Sequence, residues 1–163
     1  MDTGWFTSLL DGLPALPPVA WLVRSGTAYL VVNAAHIAAL GLAVGAAVLL
    51  DLRLLGIAGR RLPLALIGPF LSRAAAAGLG LAAITGLWLF SVRPADYLAN
   101  PAFLAKLALI ALALANVLLA HAGGSWARAL REGRAGLGAK VHASASLMLW
   151  LAVVLAGRWI GFL

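Results

Sequence analysis

The chain has 163 residues, of which 64% are hydrophobic and only 10% charged, and its mean hydropathy is +1.03. A water-soluble domain runs about 45–50% apolar and about 25% charged, so composition excludes an ordinary soluble globule. The net charge of +7 does not mark a nucleic-acid binder, because the basic residues gather in two loops between apolar stretches. There is no cysteine, which removes disulfides, thiolate metal sites and thiol catalysis.

The amino-terminal stretch MDTGWFTSLLDGLPALPPVAWLV has neither the basic start nor the small-residue cleavage site of a signal peptide. Trp5, Phe6, Leu9 and Leu10 fit a short helix lying in the membrane interface, which Pro14, Pro17 and Pro18 would end. The plainer reading of the first dozen residues is a loose tail.

Four long apolar stretches follow, at about 27–50, 69–92, 101–122 and 141–162. Each is near the ~20 residues that cross about 30 Å of hydrocarbon. The first contains Gly41 and Gly45, a small-xxx-small spacing that lets another helix approach. In the second, Gly78, Gly80, Ala82 and Gly86 leave room for a neighbouring backbone or a flat ligand. Pro94 and the Asn100–Pro101 pair bracket a short connection to the third. The loop before the fourth holds a short amphipathic helix at Trp126–Arg131. With no internal repeat and no long linker, the expectation is an all-α, four-helix antiparallel transmembrane bundle in a single domain.

Arg53, Arg60, Arg61 and Arg73 flank the first connection, and Arg128, Arg131, Arg134 and Lys140 the third. The opposite side has Arg24, Arg93, Lys106 and Arg158, offset by Asp2, Asp11 and Asp96. Basic loops stay in the cytoplasm, so the expected setting is a bacterial inner membrane with both termini periplasmic. The basic loops would also meet anionic headgroups.

All three histidines fall in or at the ends of these stretches. His36 is near the middle of the first, His121 closes the third and His142 opens the fourth. Ionisable groups at membrane depth usually face the bundle interior or a cavity, and neutral imidazole is an axial ligand for haem iron. His121 and His142 on adjacent helices could clamp a haem b, with small residues at Gly138, Ala139, Ala145 and Ser146 giving the ring room. Arg53, Arg73 and Arg128 would meet its propionates. For His36 the partner would be Met148, Lys106 or, in a tilted arrangement, His121.

Plainer roles stand beside these. His121 and His142 would be solvated near an interface, and His36 would bond a neighbouring helix, with Tyr29 and Asn33 on its face. Lys106 would snorkel outward, and Asp51 would pair with Arg53. Fifteen residues separate His36 from Asp51 and Lys106 from His121, a rise of roughly 22 Å with about 60° of rotation. A two-site redox chain or a proton path needs such a layout.

The phrases HIAALGLAVGAAVLLDLRLLG, TGLWLF, YLANPAFLAKLALIALALANVLLAH and SLMLWLAVVLAGRWI together resemble a family of small four-span bacterial inner-membrane proteins known only as a domain of unknown function. The resemblance covers roughly residues 20–162. It implies that His36, the Asp51–Gly56 phrase, Asn100, Pro101, Lys106, His121 and Arg158 match the family pattern. That pattern has no histidine where His142 stands, which weighs toward a His36–His121 pairing. More loosely, size and histidine placement are similar to four-helix b-type cytochromes of the cytochrome b561 kind and to copper-resistance membrane proteins. The b-type cytochromes usually carry more histidines than three.

The leading expectation is therefore a haem-b membrane protein passing electrons between a quinone or periplasmic partner protein and another acceptor. If it is an enzyme, it is a membrane oxidoreductase. The alternative is a cofactor-free accessory subunit or small transporter, using an intramembrane network of His36, Asn33, Lys106 and Asp51. A third is copper or zinc held by His36, His121 and Met148 or His142. Self-association is compatible with all three. Ser144 and Ser146 beside His142 read as helix serines bonding their own backbone, since no nucleophile–base–acid arrangement accompanies them.

Overall fold

The computed structural model describes residues 4–162, with side chains from Ser8 onward. Among the described residues it is mostly helical and has no strand. α1 (Gly4–Gly12), a 3₁₀ turn (Leu13–Ala15) and α2 (Pro17–Arg24) precede α3 (Gly26–Leu55), α4 (Leu64–Phe90), α5 (Pro94–Ala99), α6 (Pro101–Ala122), α7 (Ser125–Glu132) and α8 (Leu137–Trp159), which runs into a 3₁₀ turn (Ile160–Phe162). The expected short amino-terminal helix is present; the side chains of Trp5 and Phe6 lie outside the described residues. Proline begins elements here as much as it ends them. Pro17 opens α2, where its missing N–H costs nothing.

Among the described residues, α3, α4, α6 and α8 are the helices long and apolar enough to cross a membrane. The protein is a four-span membrane protein. Local signals set the ends of these helices. The Ser25 hydroxyl accepts the Ala28 N–H at the start of α3, and Gly56, at φ 74°, stops it in the left-handed region. Asn100 caps α6 by accepting from Ala102 and Phe103, while its amide donates to the Ile160 carbonyl and ties α6 to the end of α8. α4 begins at Leu64, earlier than the sequence suggested, and carries Pro69 in its second turn.

The packing order is α4–α3–α8–α6: α3 lies against both α4 and α8, and α8 against α6. α4 and α6 scarcely touch, so the bundle has an open seam between them. Small side chains permit the close contacts. An added Cβ at Gly78 would stand 2.5 Å from the Ala43 nitrogen, so α4 passes directly over the α3 backbone there. Gly41 and Gly45 have nothing within 4 Å of such a Cβ. Their spacing therefore serves no contact within the chain.

The buried apolar side chains form three levels. Leu22, Val32 and Leu89 pack near the chain termini, with Tyr29 and Trp88. Ala47, Ala113, Trp150 and Val153 fill the middle. Leu54, Leu64, Ala129, Ala139 and Ala143 close the end that carries the arginine-rich loops, with Trp126 and Leu130 of α7 packed on them. We call these ends the terminal end and the basic end.

Candidate functional site

Near the basic end, α3, α4, α6, α7 and α8 enclose a cavity of about 200 Å³. Its wall is largely apolar, and Ala47 and Trp150 of the middle level line its floor. The polar side chains that reach it are Asp51, Ser72, Asn116, His121, Ser125, His142 and Ser146. Leu114 and Val117 line it and are also exposed on the outside of the bundle. The cavity thus communicates with the α4–α6 seam at membrane depth.

The hydrogen bonds fix the role of Nδ1 in each imidazole. The Asn116 amide donates to the backbone carbonyl of His142, 2.9 Å away, and a carbonyl can only accept. The Asn116 side-chain oxygen therefore faces His142 Nδ1, 2.8 Å away, and Nδ1 must donate to it. His121 Nδ1 lies 2.8 Å from the Val117 carbonyl and donates for the same reason. Its ring also lies tilted against Trp126, with centroids 5.5 Å apart. In the neutral form of either ring the lone pair is then on Nε2, the orientation that a ligating histidine takes when its other nitrogen bonds a carbonyl.

Asp51 is the most constrained polar group of the cavity. It is only 5% exposed, Ser146 stands beside its carboxyl, and its Oδ2 has no hydrogen-bond partner. The expected Asp51–Arg53 pair does not form. Arg53 sits two residues on and turns into the α3–α4 connection, where its Nε and Nη2 donate to the Leu62 carbonyl at 3.1 and 2.8 Å. That engagement also removes Arg53 from the expected cradle for propionates. Arg73 is exposed at the same end and lines no part of the cavity.

His36 belongs to a different neighbourhood. The Thr85 hydroxyl donates to the Leu81 carbonyl, 2.7 Å away, so its oxygen accepts from His36 Nδ1 at 2.9 Å. The ring lies against Gly86, where an added Cβ would come within 2.9 Å of His36 Cε1. The glycine makes room for an imidazole. His36 does not line the basic-end cavity, whose floor begins about two turns further along α3. Lys106 lies within electrostatic reach of His36, its stem running over Gly157 of α8. Asn33 is exposed on the outside of α3, so the expected stripe of Tyr29, Asn33 and His36 does not face one interior.

The structure thus brings His121 and His142 to one cavity and leaves His36, Lys106 and Met148 elsewhere. Met148 is 71% exposed on the outer surface of α8. Among the described residues no three His, Asp or Glu side chains come together as a group that could hold a metal ion. Asn116 escaped sequence reasoning, as did the full weight of Asp51. Asn116 lies on α6 within reach of α8, and a lone asparagine in an apolar helix was the available signal.

A second cavity, about 650 Å³, opens at the terminal end between Tyr29, Arg93, Asp96, Tyr97 and Asn100. Burial, with the Tyr29 phenol next to it, pushes the Tyr97 hydroxyl up to about 12. No family model, curated protein or solved structure matches the chain.

Proposed function

We propose that the protein is a cofactor-free small-molecule binding or transport protein of the membrane, working through the basic-end cavity. The observation that carries this reading is the buried Asp51 carboxyl, with an unpartnered oxygen, on the wall of a small cavity. An unsatisfied polar atom in a bilayer costs several kcal/mol, so it marks a place where a ligand or a proton supplies the missing partner. The seam between α4 and α6 gives a small lipid-soluble molecule a way in. The arginine-rich loops support placing the basic end in the cytoplasm of a bacterial inner membrane. In that setting, Arg131→Cys would react with a membrane-impermeant maleimide only in inverted vesicles. Labelling from the periplasmic side would overturn the orientation.

The bared Nε2 atoms of His121 and His142 favour a second reading, electron transfer through haem b. The donor set suits iron, but the space does not suit porphyrin. Pockets for drug-sized ligands run about 300–1,000 Å³, and a haem is larger than such ligands, whereas this cavity has about 200 Å³. Haem would need α4 and α6 to part along the seam. Visible spectra of detergent-purified protein, oxidised and dithionite-reduced, with pyridine haemochrome quantification, separate the two. We expect a colourless protein. A sharp reduced α-band with near-stoichiometric haem b would replace the first reading with the second, and His121→Ala and His142→Ala would then test the ligands.

A further inference from the structure

We infer that the ligand of the basic-end cavity is a small hydrophobic ammonium ion, anchored on Asp51 between the indoles of Trp126 and Trp150. The inference rests on the cavity being a small-molecule site, and it names the class of molecule. Among the described residues no lysine or arginine lines the cavity, and Asp51 is its one acidic group. Of the eight basic side chains at the same end, Arg53 is held by the Leu62 carbonyl and the other seven are exposed. Asp51 Oδ2 is left without a partner, and with Nδ1 of His142 and of His121 donating elsewhere, Nε2 of each neutral imidazole is an acceptor. The serine and amide donors are largely committed. Ser125 donates to the Ala120 carbonyl, Asn116 to the His142 carbonyl, and Ser146 is turned to Asp51. The indole N–H groups and the Ser72 hydroxyl remain as neutral donors.

A ligand that complements this surface brings N–H donors, a positive charge and an apolar body. An ammonium group supplies a charge-assisted hydrogen bond to Oδ2, about twice as strong as a neutral one. The two tryptophans supply aromatic faces, the best of the side chains for holding a cation. The alanines and leucines of α3 and α4 take the apolar body. A carboxylate or phosphate ligand would meet Asp51 with no cation between them. A ring with only carbonyl oxygens would leave Oδ2 and both Nε2 atoms unanswered.

The probe is phenethylammonium, whose nine heavy atoms suit a cavity of about 200 Å³, titrated into protein in phosphatidylcholine nanodiscs. Tryptophan fluorescence follows it, since Trp126 and Trp150 line the site. Three controls accompany it: 2-phenylethanol and phenylacetate, which are of similar size, and the N,N,N-trimethyl derivative, which is three carbons larger and keeps the charge but has no N–H. We expect saturable binding of phenethylammonium, at least ten-fold tighter than of 2-phenylethanol, with no binding of phenylacetate. The trimethyl derivative should bind more weakly than the parent. Asp51→Asn, which keeps the side-chain volume, should weaken phenethylammonium at least ten-fold while leaving 2-phenylethanol within about two-fold. Should that variant not fold, the selectivity of the unaltered protein decides. Saturable binding of 2-phenylethanol without preference for the ammonium would overturn the inference and leave the cavity a small-molecule site. Stoichiometric haem would remove the reading on which it rests. No saturable binding of any probe to colourless, folded protein would overturn both.

Discussion

At the scale of single residues, each of the three histidines has a fixed partner. His36, His121 and His142 each donate from Nδ1, to Thr85, Val117 and Asn116. None of those partners stands at a sequence distance that marks it as one, apart from Val117, one turn before His121. Position therefore told which residues were unusual, but not what they met. Tyr97, outside the spans, offers a test at this scale. Its hydroxyl is pushed from 10.0 up to about 12 by burial, with Tyr29 beside it. The folded protein holds this proton more tightly than the unfolded chain, so the stabilisation is complete below about pH 10 and is lost as pH rises toward 12. Denaturant midpoints in detergent should fall over that window. In Tyr97→Phe the fall should be smaller, and absorbance at 295 nm should show one phenolate fewer appearing late. An unchanged alkaline profile in the variant would assign the loss to other groups.

At the scale of elements, the spans were legible because the bilayer demands length and apolarity together, and few sequences satisfy both by accident. α6 begins and ends where composition placed it. α3 continues to Leu55 because nothing before Gly56 breaks it, and the amphipathic α7 lies where its Trp126–Arg131 pattern put it. Helix neighbours were much less legible. Two small-residue motifs looked alike in sequence, yet only one makes a contact: Gly78 meets the α3 backbone, whereas Gly41 and Gly45 face outward. A small residue permits approach, and the rest of the helix face decides whether a neighbour comes. Gly78→Ala should therefore separate α3 from α4 and cost about 1–3 kcal/mol, the range for overpacking. Gly80→Ala, where an added Cβ has nothing within 4 Å, should be neutral or slightly stabilising, since alanine favours helix over glycine. Thermal unfolding of both variants in the same detergent checks this. Equal losses would mean that the cost comes from helix propensity and not from the crossing.

At the scale of the whole molecule, the order α4–α3–α8–α6 leaves a bundle with one edge unzipped. An up-down chain was expected from the short connections, and each connection does join antiparallel helices. What the connections do not dictate is which long helices lie face to face. α4 and α6 follow one another in the chain, through α5, yet α3 and α8 come between them. Two consequences arise together: the cavity forms where α4 and α6 stand apart at the basic end, and Leu114 and Val117, which line it, are also exposed on the outside of the bundle. Across the middle level, Ala47, Ala113, Trp150 and Val153 separate this cavity from His36 and Lys106. If the seam is the entrance, holding it shut should slow entry without changing what binds. The absence of native cysteine makes this practicable. Ala76→Cys on α4 and Val117→Cys on α6, both on the cavity wall, would be the only thiols, and a bismaleimide matched to their separation would bridge them. Bridged protein should take up phenethylammonium at least ten-fold more slowly than the same variant capped with N-ethylmaleimide, with similar fluorescence change at saturation. Equal rates would show that the ligand enters from the aqueous side, past α7 and its Trp126, and not from the bilayer.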